Sequence, residues 1–287
     1  MGTFLQDIRY AARMLVKNPG FTCAAVLCLT LGIGATTAIF SVVNTVLLRP
    51  LRYSHPERLI RVYSEFPNFP NGGLRRFWVS APEFLDLRRD THSWASLDAW
   101  TTSGVNLAGE TRPVRLTSAF VSGGLLESLG VSPVVGRVFG PQEDVPSSST
   151  YADISYGVWQ SVFGSDPTIV GRETLLNGRT CTILGVMPPG FEFPPGEADP
   201  PQIWAPLQLD PANPGGRSSH YLYLLGRLKP GVTPVTAQGE LSALVQSYGQ
   251  NRAPKTHSFN PENHTLVSFP LQAEVVSSVK TALWMLL

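Results

Sequence analysis

Between Phe21 and Leu48 the chain runs for twenty-eight residues without one Asp, Glu, Lys, Arg, His or Pro. At about 1.5 Å per residue, a helix of that length exceeds the roughly 30 Å of bilayer hydrocarbon. The stretch is therefore predicted to be a transmembrane helix with room for tilt. A cleaved secretory segment has a much shorter apolar region, and no A-x-A cleavage pattern follows this one. Within it Ala24, Cys28, Gly32 and Thr36 recur four apart, with Gly34 and Ala38 as a second pair. That spacing gathers small side chains on one face where another membrane helix can approach, although Gly and Ala are frequent in membrane helices in any case. Asn44 is the one strongly polar residue of the stretch.

Residues 1–20 place Phe4, Leu5, Ile8, Ala12 and Leu15 at helical spacing and Arg9, Arg13 and Lys17 on another face. This pattern predicts a juxtamembrane amphipathic helix, its basic side toward anionic lipid headgroups, broken at Pro19 and Gly20. Basic residues flank the apolar stretch on both sides, since Arg49, Arg52, Arg58 and Arg61 follow it. Charge alone therefore leaves the sidedness open.

From about residue 49 to 276 the composition becomes that of a folded, water-exposed domain. Lys plus Arg number 22 against 21 Asp plus Glu, so no basic field recruits nucleic acid. Cys23 and Cys28 lie in the apolar stretch and only Cys181 lies beyond it, which excludes an internal disulfide or a cysteine zinc site in this domain. Gly and Pro, 26 and 25 residues, favour short strands and many turns.

Local signals order the elements. Leu59–Tyr63 reads as a strand, and Phe66–Gly73 as a loop. A helix is capped by Ser80 and Glu83 in an S-x-x-E box, with Pro82 in its first turn. Trp94, Leu97 and Trp100 continue at helical spacing, so helix is expected there too. Val114–Val121 reads as a strand and Ser122–Leu129 as a short helix stopped by Gly130. Asn177-Gly178 joins strands 173–176 and 180–186 through a type I′ turn. His220–Leu228 is a strand, Thr233-Pro234 starts a helix with Ala237, Leu241, Leu244, Val245 and Tyr248 on one face, and 264–271 is a closing strand. The predicted fold is thus membrane-anchored α+β. A split strand-helix-strand part (49–130 and 218–272) surrounds an inserted β-rich part (131–217). Residues 277–287, ending in TALWMLL, are expected to begin a second crossing helix that stops short.

Taken together, LGIGATTAIFSVVN at 31–44 with LLRPL at 47–51 resembles the first membrane segment of MacB/FtsX-type ABC transporter permeases, especially the acidobacterial-type duplicated orphan permeases. The likeness continues through 84–88, Gly130-Val131 to Phe139, Leu176-Asn177-Gly178 to Phe191, and His220-Tyr221-Leu222 to Val232. It departs at Thr36, where that family usually has Asn, and at 149–154, where a more apolar strand is usual. The resemblance implies the N-terminal part of a permease subunit in a bacterial inner membrane, with a cytoplasmic N-terminus and a porter-like extracytoplasmic core. It also implies a separate ABC ATPase, a permease homo- or heterodimer, a periplasmic adaptor or outer-membrane channel as further partners, and a role in export or transmembrane signalling. The competing expectation is a single-pass anchored binding or sensor domain that transports nothing.

Catalytic chemistry finds no support. Gly226 and Gly231 have the glycine spacing of a phosphate-binding loop, but Val232 stands where the lysine must be. No Ser lies in G-x-S-x-G. His55, His92, His220, His257 and His264 show no metal-ligand spacing and are expected at the surface or in caps. No catalytic, cofactor or metal residue is predicted. Asn263-His264-Thr265 is a formal glycosylation sequon, better read as a loop before the last strand. Phe191, Phe193 and Trp204, set among prolines, are either a partner-docking loop or rings that pin an irregular segment to the core.

Overall fold

The computed structural model describes residues 2–43, 51–108, 112–146, 149–252 and 257–284. It divides into two compact units, Met1–Pro50 with Val276–Leu287, and Leu51–Val275.

The smaller unit opens with α1 (Gly2–Lys17) and α2 (Pro19–Val43). The break falls at Asn18, one residue before the expected Pro19-Gly20. Pro19 suits the first position of a helix, where its missing N–H has no partner to lose. Asn18 Nδ2 donates to the Met14 carbonyl at 3.1 Å, and Thr22 Oγ1 donates to the Leu15 carbonyl at 2.7 Å. Among the described residues no single helix is long and apolar enough to cross a membrane. Arg9–Lys17 and Pro19–Gly34, bent by 106°, meet that test only together. Phe21, Val26, Leu27, Leu29, Leu31 and Ile33 are all exposed. A side chain added at Gly32 or Gly34 would meet nothing within 4 Å, so the small-residue face is open there, as are Ala24 and Cys28. Thr36 Oγ1 donates to the Gly32 carbonyl at 2.8 Å. The expected helical stretch 44–48 and the side chain of Ala38 lie outside the described residues.

The larger unit is built on one continuous sheet. In chain order it comprises β1 (Leu59–Phe66), β2 (Leu74–Phe77), β3 (Val79–Ser80), α3 (Ala81–Asp90), β4 (Trp94–Leu107), β5 (Val114–Val121) and α4 (Leu125–Leu129). β6 (Val135–Gly136), β7 (Thr150–Ile154), α5 (Tyr156–Phe163), β8 (Glu173–Leu176), β9 (Arg179–Val186) and β10 (Ile203–Pro206) form the middle. β11 (His220–Leu228), α6 (Pro234–Asn251), β12 (Thr265–Pro270) and α7 (Leu271–Trp284) close it, α7 reaching past the larger unit. The strand order is β12-β1-β11-β4-β5-β10-β7-β9-β6, with β2 on β1, β3 on β11, and β8 bridging β4 and β9.

β1, β11 and β12 come from both ends of the unit and lie side by side, sharing a core with α3 and α6. The 131–217 segment does not form a separate sheet, because β10 pairs parallel with β5 and antiparallel with β7. One core joins Ile60, Val62, Phe84, Leu87, Leu224, Leu241 and Val245, and another joins Ala152, Ile154, Val158, Phe163 and Ile183.

The helix expected over Trp94–Trp100 is instead the start of β4. That strand lies between β11 and β5, and its residues 97–100 are buried on both faces, so apolar residues occur there without strict alternation. A register shift near Trp94 also turns its ring onto the face of Leu97 and Ala99, while Trp100 joins the opposite core. Helical spacing here is the sum of two faces and a bulge.

The local caps form as their residues dictate. Glu83 Oε2 accepts the Ser80 N–H at 3.1 Å at the start of α3. Thr233 Oγ1 accepts the Thr236 N–H at 3.1 Å at the start of α6, and Gly130 ends α4 with φ +69°. Asn177 and Gly178 take φ of 50° and 78°, making the hairpin turn between β8 and β9.

Candidate functional site

Two acids one turn apart on α3, Glu83 and Asp86, face inward and are both buried. Each collects partners from the same two distant segments. Arg217, just before β11, and Arg252, just after α6, donate to Asp86 Oδ2 at 2.6 and 2.9 Å, while Arg89 reaches Oδ1 at 2.8 Å. One turn back, His220 at the head of β11 and His257 from the segment after α6 reach Glu83, joined by His264 immediately before β12. The upper rung is an ordinary carboxylate–guanidinium cluster. The lower rung is not.

His220 Nε2 lies 3.1 Å from Glu83 Oε2, and His264 Nδ1 and His257 Nε2 lie 3.4 and 3.6 Å from Glu83 Oε1. One donor atom from each of the four residues falls within 4.8 Å of every other. Glu83 Oε1, His220 Nε2, His257 Nε2 and His264 Nδ1 are all buried, and none has a hydrogen-bond partner. Four such atoms turned toward one point are unusual, because buried polar atoms in folded proteins are nearly always satisfied.

The far sides of the rings are held. His220 Nδ1 lies 3.2 Å from the Ser218 carbonyl. His264 Nε2 lies 3.0 Å from Ser64 Oγ on β1. Asn260 Oδ1 accepts the N–H groups of Asn263 and Glu262 at 2.7 and 3.2 Å, and its backbone bridges His264. That turn brings His264 back beside His257. Around the cluster Phe66 stacks on His264 at 4.2 Å and meets His220 edge-on at 5.2 Å, while Phe259 stands 4.8 Å from His264.

Burial pushes the Glu83 carboxyl up, and the His220 and His264 rings beside it more than reverse that, so it stays below its usual range. Burial also lowers His257 and holds His264 at about 4. A nearby cleft of about 490 Å³, lined by Tyr248, Arg252, Ser258, Asn260 and Asn263, lies between the end of α6 and the Asn260 turn.

The expectation that the histidines sit at the surface or in caps holds for His55 and His92, which are exposed, and fails for the other three. Pairing of β11 with β3 and of β12 with β1 folds three remote segments over α3, an arrangement that linear spacing does not encode. The only local hint is the short run from His257 to His264 around an Asn-Pro-Glu-Asn turn.

Phe193 and Trp204 are fully buried, which removes both from any docking surface. Trp204 Nε1 donates to the Phe193 carbonyl at 2.9 Å, and Phe193 packs edge-on against Trp100 at 5.1 Å. Phe191 is half-buried and meets Trp204 at 4.9 Å. The prolines between them bend the chain so that the rings enter the core, a destination that composition alone does not reveal.

A family model described as the MacB-like periplasmic core domain matches residues 22–244. Among solved structures, a domain described as that of a permease from Porphyromonas gingivalis matches at 15% identity and TM-score 0.55, covering 76% of this chain and 91% of its own. The periplasmic region of MacB from Actinobacillus actinomycetemcomitans matches at 12% identity and TM-score 0.53, with coverage of 81% and 94%. The extracellular domain of the ABC-type transporter YknZ from Gram-positive bacteria matches at 11% identity and TM-score 0.50, with coverage of 73% and 99%. No curated protein matches the sequence.

Proposed function

Because this chain belongs to the family of MacB-like periplasmic core domains, we propose that it is the N-terminal part of an ABC-type permease subunit. In this reading the apolar helix beginning at Pro19 crosses the inner membrane from a cytoplasmic N-terminus. The larger unit stands on the extracytoplasmic side and converts movements of membrane helices, powered by a separate ATPase, into export or signalling. It carries no catalytic role of its own.

The observation that supports the reading best is how the larger unit begins and ends. The Leu51 N–H donates to Gln272 Oε1 at 3.0 Å, so entry and exit are tied to each other. β12 passes into α7 with no residue between Pro270 and Leu271, and Leu271 is buried in the core. A body moved by a membrane attachment suits a helix that leaves it with no slack linker, which would absorb the motion. The family match also spans residues 22–244, from within the apolar helix into the sheet unit.

The test is topology. Membranes carrying the chain should retain it after alkaline washing. In a chain with Cys23 and Cys28 changed to Ser, a cysteine replacing exposed Val235 should react with a membrane-impermeant maleimide in intact spheroplasts, the remaining native Cys181 being buried. Recovery of the chain without detergent, or labelling only after lysis, would overturn the reading.

A further inference from the structure

We propose that Glu83, His220, His257 and His264 form a binding site for one zinc ion, closed by four protein ligands. The donor set is one carboxylate oxygen and three imidazole nitrogens, a combination suited to Zn²⁺. Zinc–nitrogen bonds of about 2.0–2.1 Å in a tetrahedron put neighbouring ligand atoms about 3.3 Å apart. From Glu83 Oε1 the His264 and His257 donors lie 3.4 and 3.6 Å away, close to that value, and one donor atom from each of the four residues falls within 4.8 Å of every other. Each donor is buried and unpartnered, so an ion at their centre would satisfy four polar atoms that the protein leaves unmet.

The surroundings fit the same assignment. The Ser218 carbonyl and Ser64 Oγ hold the outer nitrogens of His220 and His264, which fixes ring orientation as outer partners do in metal centres. Phe66, Phe77 and Phe259 wall the cluster with apolar surface. Four protein ligands leave no open position for water or substrate, so the ion's role is structural. It would clasp α3 to the head of β11 and to the strand-entry turn before β12, three segments that are otherwise far apart in the chain. This assignment is independent of the transport reading and survives or fails separately from it.

The test uses the whole chain in detergent, without a histidine tag, stripped with a chelator and titrated calorimetrically with Zn²⁺ alone. One ion per chain is expected, with Kd below about 1 µM. Tm should rise by about 5–10 °C at a hundredfold excess over Kd. Co²⁺ in its place should give the intense visible absorption of a tetrahedral ion. His257→Ala removes the ligand with the most exposed side chain, 34%, and is the variant best placed to keep its fold. It should weaken Zn²⁺ binding at least about 100-fold, and His220→Ala should do likewise, while His92→Ala leaves it unchanged. Glu83→Gln keeps the acceptor for the Ser80 N–H and should still weaken binding. Absence of saturable binding tighter than about 10 µM would overturn the site, as would binding that survives both His257→Ala and His220→Ala, or a weak octahedral Co²⁺ spectrum.

Discussion

Glu83 and Asp153 are both 0% exposed and belong to the same sheet unit, Glu83 where α3 meets β11 and β12, Asp153 on β7 in the inserted segment. Burial drives both carboxyl groups toward the neutral form. Around Glu83 three imidazoles and a backbone N–H gather, and the group stays below its usual range. Around Asp153 the Phe139 N–H, at 3.1 Å, is the one hydrogen-bond donor among the described residues that reaches it, and none of them partners Oδ1. Arg137 is turned toward Glu143, its Nη2 2.6 Å away, and Asp153 rises to about 7. Depth is equal in the two places, so what differs is the chemistry supplied from other segments. A buried acid is costly where few polar partners reach it and useful where several converge on it.

The largest effect should come from Glu83→Ala. It leaves three inward-facing rings without their anion and the Ser80 N–H without its acceptor, and a loss of about 4–5 kcal/mol in urea-unfolding stability is expected. If the loss is under about 1 kcal/mol, Glu83 is no better placed than Asp153 and the contrast fails.

Asp153→Asn should act in the opposite direction. In the folded chain this carboxyl keeps its proton up to about pH 7, whereas the unfolded chain releases it near 4. The parent protein therefore loses stability as pH rises from about 4 to 7 and levels off above that. The variant should be more stable at pH 8 by about 2–4 kcal/mol, and its unfolding midpoint should vary less between pH 4 and 7. A parent midpoint flat across that window would show that Asp153 is ionised, and would erase the difference between the two acids.

Asp86 provides the intermediate case, on the helix of Glu83 but matched with guanidinium groups that are partly exposed. Asp86→Asn is expected to cost about 1–2 kcal/mol, with the penalty shrinking as NaCl rises from 0.05 to 0.5 M. A penalty insensitive to salt would place Asp86 with the deeply buried pair. The smallest effect, within about 0.5 kcal/mol, is expected for His92→Ala, because this histidine is exposed.

What the sequence revealed of this molecule follows the reach of each interaction. Ser80 with Glu83, Thr233 with Pro234, and Asn177 with Gly178 act over two to four residues, and each formed the cap or turn its chemistry demands. The strands β1, β5 and β11 and the helix α6 were legible because each carries its own local pattern. β4 was not, since a central strand with a bulge and two apolar faces imitates helical spacing through Trp94, Leu97 and Trp100. α5 carried its signals, Ser155 accepting the Val158 N–H at 3.2 Å and Gly164 closing it at φ +59°, but the eight residues between lack a clear stripe. The histidine cluster was invisible for a different reason. Its geometry exists only after β11 and β12 flank β1, and no spacing along the chain records that event.

The pairing of Ile60 with Pro270 puts the first and last strands of the sheet unit side by side at the end where the chain enters and leaves. A tug applied to both ends together finds no internal bond to strain and carries the whole body along. A tug that prises the ends apart instead peels β12 from β1 one hydrogen bond at a time, beginning beside the Leu51–Gln272 clasp. The unit is therefore stiff as a lever and weak as a tether, and force spectroscopy pulling at residues 51 and 272 should record low, stepwise rupture of that edge before the rest of the sheet gives way.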